Sequence, residues 1–176
     1  MSAIEEELRL FELQLDDVLV RVRTCVEQLS RVTSDDLRFL IAERLPALGS
    51  SVIPALQQIL DDSRSEPSLR YLAAWVSIEV GDRGDGISVL CAEVEADTKW
   101  SLPAAGVLAR HRIREGAGSV QVALARIDPR NTVDVMGYAT ALRDLGGQLP
   151  EAVRQRILEE SPSWVAKAIE EDFPSE

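Results

Sequence analysis

The sequence predicts an all-α chain folded as a right-handed α-solenoid of antiparallel helix pairs, about nine or ten helices in all. Three observations lead there. The stretch LRYLAAWVSIEVGDRGDGISVLCAEV, Leu69 to Val94, alternates an apolar helical pattern, a Gly/Asp turn and a second apolar helical pattern. Weaker copies flank it: Leu69, Ala73, Val76 and Val80 have counterparts 33 residues on in Leu102, Gly106, Ala109 and Ile113, and Ile87 matches Val120. Aromatic residues make up only 5% of a chain that is 45% apolar, which suits helix-on-helix packing better than a sheet.

Taken in order, residues 3–30 show Leu8, Phe11, Leu15, Val18, Leu19, Val22, Val26 and Leu29 at spacings of three and four, with Glu5, Glu6 and Glu7 in the first turn. An end repeat has one face without a neighbour, so residues 1–32 are expected to form an N-terminal helical cap. Thr33-Ser34-Asp35-Asp36 is a helix start, and the helix it opens is expected to reach Leu48 and stop at Gly49, with Pro46 favouring a bend or an early end. Ser51 to Asp62 follows with Pro54 in its first turn.

The next unit runs from Leu69 to Val80, stops at Gly81 and resumes from Ile87 to Ala96. A third runs from Trp100 to Arg114, turns at Gly116-Ala117-Gly118 and continues from Val120 to Ile127. A fourth begins near Thr132, ends at Gly146-Gly147 and resumes from Pro150 to Glu160. Ser163 to Phe173 closes the array. The whole is read as one domain, with repeats over 33–160 and a capping helix in 161–176. Ala73, Gly106 and Ala139, at steps of 33, are expected where paired helices approach closely.

The strings LRFLIAERLPALGSSVIPALQQILDD and LRYLAAWVSIEVGDRGDGISVLCAEVEAD resemble HEAT-like repeats of the short bacterial, chromophore-lyase kind. Shared features are an initial Leu-Arg, paired apolar residues, a Gly-Asp turn and a terminal Asp, over about residues 35–160. The resemblance implies a fold and leaves the activity open, since such repeats serve adaptors, chromophore-lyase subunits and DNA-alkylation-repair glycosylases.

Net charge is −11, and the acids concentrate toward the flanks of the chain. That balance disfavours wrapping a nucleic-acid duplex and suits a basic protein partner. No apolar run approaches the ~20 residues of a membrane span, and the first residues are acidic where a secretory signal would be basic. A cytoplasmic protein, monomeric or weakly dimeric, is expected. Cys25 and Cys91 each sit in an apolar helical pattern and are expected to be buried thiols.

Reactive chemistry has little to draw on. His111 is the sole histidine, so no metal site is expected; it falls in Ala-Arg-His-Arg near a helix end and suits capping. The loop from Gly81 to Ile87 fails as a calcium site, because Gly84 and Gly86 stand where side-chain oxygens are needed. There is no GxSxG, P-loop, HExxH or GxGxxG, and neither a catalytic residue nor a cofactor is expected.

Two binding surfaces remain. Asp61, Asp62, Glu95, Asp97, Asp128, Glu159 and Glu160 are expected to end the first helix of each unit, so with Glu66 they would line one edge; they read either as caps for the following helices or as an acidic contact strip. Arg70, Ser77, Arg110, Arg114 and Arg143, read as lying on the second helices, fall off the apolar pattern, with Ser77, Arg110 and Arg143 33 residues apart. They read either as a solvated face or, with Trp75, as a concave groove for an acidic peptide or anionic ligand. Trp75 itself reads as packing first and as a binding hot spot second.

The acidic edge supports a non-catalytic protein-binding module, for instance an immunity or antitoxin-type protein neutralising a basic toxin or nuclease. The alternatives are a DNA-repair-like binder of nucleic acid or other anions through the arginines, and a structural adaptor in a larger complex.

Overall fold

The computed structural model describes residues 20, 22–31 and 33–174. Among them every regular element is helical and no strand occurs. Residues 22–31 form α1. Then come α2 (Asp35–Ala42), a 3₁₀ stretch (Leu45–Val52), α3 (Ile53–Asp61), α4 (Pro67–Glu79), α5 (Asp85–Glu95) and α6 (Ser101–Arg110). A 3₁₀ turn (Arg114–Gly116) precedes α7 (Ala117–Arg126), α8 (Thr132–Asp144), α9 (Glu151–Glu160) and α10 (Ser163–Asp172). The part of the expected N-terminal cap on residues 1–19 lies outside the described residues. The chain packs as two compact units, Met1–Arg83 and Gly84–Glu176.

In the first unit Val22, Val26 and Leu29 of α1, Leu56 and Leu60 of α3, and Leu72 and Val76 of α4 are buried. Everything from Tyr71 to Ile78 is buried, as a helix apolar on two sides requires. Ser34 caps α2 by accepting from Leu37 N, and Pro54 sits in the first turn of α3. The helix expected to reach Leu48 ends instead at Ala42. Pro46 then lies in the first turn of the 3₁₀ stretch, and Gly49 bends it at φ 63°. Cys25 was expected inside but is exposed, because the buried stripe of α1 is Val22, Val26 and Leu29 and Cys25 lies to one side of it.

In the second unit α5 packs on α6 and α7, α8 packs on α6 and α7, and α10 packs on α8 and α9. Leu90, Leu108, Ile113, Leu124, Leu142, Leu145, Ile157 and Ile169 fill the core.

Three helices end in the same way. After α4, Gly81 N donates to Ile78 O at 3.0 Å and Asp82 N to Ser77 O at 2.9 Å. After α6, Arg112 N donates to Ala109 O and Ile113 N to Leu108 O, both at 2.9 Å. After α8, Gly146 N donates to Arg143 O and Gly147 N to Leu142 O, again at 2.9 Å. These are Schellman closures, with a left-handed residue at Gly81 (φ 89°), Arg112 (φ 52°) and Gly146 (φ 72°). The left-handed conformation costs an L-residue such as Arg112 about 1–2 kcal/mol. Burial of the following Ile113 side chain, worth about 1.5–3 kcal/mol, outweighs it.

This closure corrects the repeat register. The third helix pair was expected to run on to Arg114 because no glycine marks the true stop at Arg112. Aligned on their closures, α4 and α6 are 31 residues apart and α6 and α8 are 34 apart, rather than a uniform 33. The small residues at equivalent buried positions are therefore Ala74, Ala105 and Ala139. Gly106 is exposed, and a Cβ there would meet nothing within 4 Å. The glycine that does permit a close helix approach is Gly137 on α8, where a Cβ would come within 2.7 Å of Leu102 Cδ1 on α6.

Candidate functional site

The acidic residues singled out from the sequence lie at the C-terminal ends of the second helix of each pair, not of the first as expected: Asp61 and Asp62 at α3 in the first unit, and Glu95 and Asp97 at α5, Asp128 after α7, and Glu159 and Glu160 at α9 in the second. All seven are exposed. Glu66 instead precedes α4 and belongs to a different setting, accepting Arg38 Nη1 at 2.5 Å.

Part of this set shapes turns. Asp62 Oδ1 accepts Arg64 N at 2.9 Å, and Asp128 Oδ1 accepts Arg130 N at 3.0 Å. Both are Asx turns, in which the carboxylate mimics a backbone acceptor. Glu95 Oε1 accepts Ser119 Oγ at 2.7 Å, Asp61 accepts Gln57 Nε2 at 3.1 Å, and Glu159 accepts Gln155 Nε2 at 2.7 Å. Asp97 takes a left-handed conformation at φ 56°. None of the seven carboxylates forms an ion pair among the described residues.

Carboxylates at helix C-termini face the negative end of the helix dipole. In the second unit two arginines relieve that unfavourable field, and they do so through carbonyls. Arg126 Nη2 donates to Glu95 O at 2.7 Å, on the last residue of α5. Arg156 Nη1 donates to Ala125 O at 2.9 Å, and its Nη2 donates to Leu124 O at 2.8 Å and Ile127 O at 3.2 Å, at the end of α7. Ser161 Oγ adds a bond to Pro129 O at 2.7 Å. Each guanidinium thus satisfies orphan carbonyls of the neighbouring helix, and the carboxylates beside them keep their charge unpaired. No local pattern reveals these contacts, because donor and acceptor lie 29 to 32 residues apart.

A cavity of about 40 Å³ between α5, α7 and α8 is lined by Asp97, Arg126 and Tyr138 among others. Burial, then the charge of Asp134, pushes the Tyr138 phenol up to about 12, against an opposing bond with Ser101.

The residues of the arginine series lie on or just after the first helix of each pair, α4, α6 and α8, rather than on the second, and they differ in setting. Trp75 is buried, stacks on Phe39 with ring centroids 5.1 Å apart, and donates Nε1 to Glu79 Oε1 at 2.9 Å; it packs α4 on α2. Ser77 is buried and lies in the core position that Leu108 and Leu142 take in α6 and α8, so it was wrongly grouped with the exposed arginines. Arg70 is half-buried on α4. Arg110 ends α6, and Arg114 stands beyond the closure in the 3₁₀ turn. Arg143 lines an open cleft of about 770 Å³ with Gln121, Gly147 and Arg154. Its guanidinium is already matched, donating to both oxygens of Asp172 at 2.9 and 3.1 Å and to Asp144 at 3.1 and 3.2 Å. Arg154 Nε donates to Phe173 O at 3.0 Å. These two arginines fasten the end of α10.

His111 is the C-cap residue of α6, and no group of three His, Cys, Asp or Glu among the described residues is placed to hold a metal ion. Burial pushes the Cys91 thiol up against a weaker opposing bond with Ser119, and the charges of Glu95 and Glu115 add to the rise, so little thiolate forms at neutral pH. No single helix among the described residues is long and apolar enough to cross a membrane. No family model, curated protein or solved structure matches the chain.

Proposed function

We propose that the chain is a non-catalytic, HEAT-like protein-binding module that takes a basic protein partner on the carboxylates at its helix ends. The observation behind this reading is the division of labour just described. Arg126 and Arg156 are turned onto backbone carbonyls and form no ion pair with Glu95, Asp97, Asp128, Glu159 or Glu160 among the described residues. Exposed, unpaired carboxylates retained where the helix dipole disfavours them are suited to a cationic surface. The packing of α8 on α6 and of α7 on α5 supports the stacked-repeat reading within the second unit. A basic toxin or nuclease, neutralised by the chain, is the class of partner that this charge fits.

The arginine-groove alternative finds less support, since Arg143 is matched by two aspartates and Trp75 is committed to packing. Capture on immobilised protein at low and at high salt tests the proposal. A basic protein retained at low salt and released as salt rises is expected; retention indifferent to salt, or no protein retained, contradicts it.

A further inference from the structure

The second surface lies on α2 and inverts the usual pattern. Its arginine is inside and its leucines are outside. Arg38 is only 3% exposed and donates to Glu66 Oε2 at 2.5 Å and to Ser68 Oγ at 3.0 Å, with Asp35 at 3.7 Å. Phe39, the next residue, stacks on Trp75. These contacts fix the rotation of the helix and leave Leu37 48% and Leu40 55% exposed. Four of the seven exposed large hydrophobic residues among the described ones, Val20, Leu37, Leu40 and Leu48, fall within residues 20–48. The apolar exposure is therefore concentrated rather than scattered.

The charges around these leucines have an order. The backbone stays helical through Glu43 (φ −59°, ψ −23°) and Arg44 (φ −91°, ψ −24°). Asp36, Leu40 and Arg44 therefore form one i, i+4, i+8 ridge, with Leu37 beside it and Glu43 at its margin. Asp36, Glu43 and Arg44 are exposed, and none makes a side-chain hydrogen bond or ion pair among the described residues. Read along the helix, the ridge is acid, leucine, base.

We propose that α2 is the contact face of a weak two-fold dimer of this chain. A two-fold axis through Leu40 brings Leu40 onto the Leu40 of the second copy and places each Asp36 against the opposite Arg44, so that one ridge satisfies itself twice. A uniformly basic partner would leave Arg44 facing like charge, which is why a second copy is the occupant. An eight-residue helix is only ~12 Å long, too short to cover the ~800 Å² per partner of a stable interface. Association is accordingly weak and concentration-dependent.

Sedimentation over a wide concentration range tests the proposal on the intact chain. The weight-average mass is expected to rise from 19.4 kDa toward twice that value, and Leu40→Glu is expected to abolish the rise. Asp36→Arg and Arg44→Asp, each alone, bring like charges together and weaken the dimer by about tenfold or more. The double variant restores the opposite pairing and regains most of the lost affinity. All these positions are exposed, so circular dichroism is expected to show an unchanged helix content. A wild-type chain monomeric at every concentration overturns the proposal, as does a dimer unaffected by Leu40→Glu or a double variant no tighter than the single ones.

Discussion

Arg156 on α9 caps α7 by donating to the Ala125 carbonyl at 2.9 Å across 31 residues of chain. Arg126 reaches the end of α5 in the same manner. The two contacts tie successive second helices together at their C-terminal ends, where the acids also lie.

Arg156→Ala removes three charge-assisted bonds and strands the carbonyls of Leu124, Ala125 and Ile127. The expected loss is about 1–3 kcal/mol, read as a lower urea midpoint. Arg130→Ala, at an exposed side chain without such contacts, is expected to stay within about 0.5 kcal/mol. Equal effects from the two substitutions would remove the capping role.

Arg112→Gly relieves a left-handed residue at the end of α6. Stability is expected to rise by about 0.5–1 kcal/mol, visible as a higher thermal midpoint. A fall in stability would show that the side chain supplies more than its strained backbone costs.

The Arg112 closure also marks the limit of what the sequence discloses. Gly81 and Gly146 announce the ends of α4 and α8, so those helices are legible within a residue or two. At α6 the same closure is made by an arginine, the stop passes unseen, and the repeat register slips. The error propagates to Gly106, to Ser77 and to the supposed alignment of Ser77, Arg110 and Arg143. The acidic helix ends are legible because they follow each helix in sequence. The arginines that decide whether those acids are neutralised are not legible, because their acceptors are backbone carbonyls some 30 residues away. On α2, burial of Arg38 depends on Glu66 and Ser68, and no periodicity within the helix could place Leu40 outside.

Two glycines separate propensity from packing. Gly106→Ala meets open space in the middle of α6 and is expected to stabilise by about 1 kcal/mol. Gly116→Ala would set a methyl 2.8 Å from Cδ1 and 3.3 Å from Cβ of the fully buried Leu108. It is expected to destabilise by about 1–3 kcal/mol. Chemical denaturation of the pair checks both signs.

Tyr138 makes the fold sensitive to alkali. Its phenol is held neutral up to about 12 in the folded chain, whereas an unfolded tyrosine ionises near 10. Between those values the unfolded chain binds fewer protons, so stability falls as pH rises from 10 to 12. Tyr138→Phe is expected to flatten that part of the decline, measured as urea midpoints through the window. An unchanged slope would mean that burial does not hold the phenol neutral.

The acidic helix ends are best probed by neutralising some of them beside a control variant of equal net charge. Asp97→Asn, Glu159→Gln and Glu160→Gln together remove three of these carboxylates. Glu43→Gln, Glu115→Gln and Glu170→Gln remove three exposed carboxylates placed elsewhere. Affinity for a basic protein captured by the wild-type chain is to be measured for both triple variants. Binding weakened at least tenfold by the first and little changed by the second is the expected result; equal weakening in both would show that total charge, and not these helix ends, draws the partner.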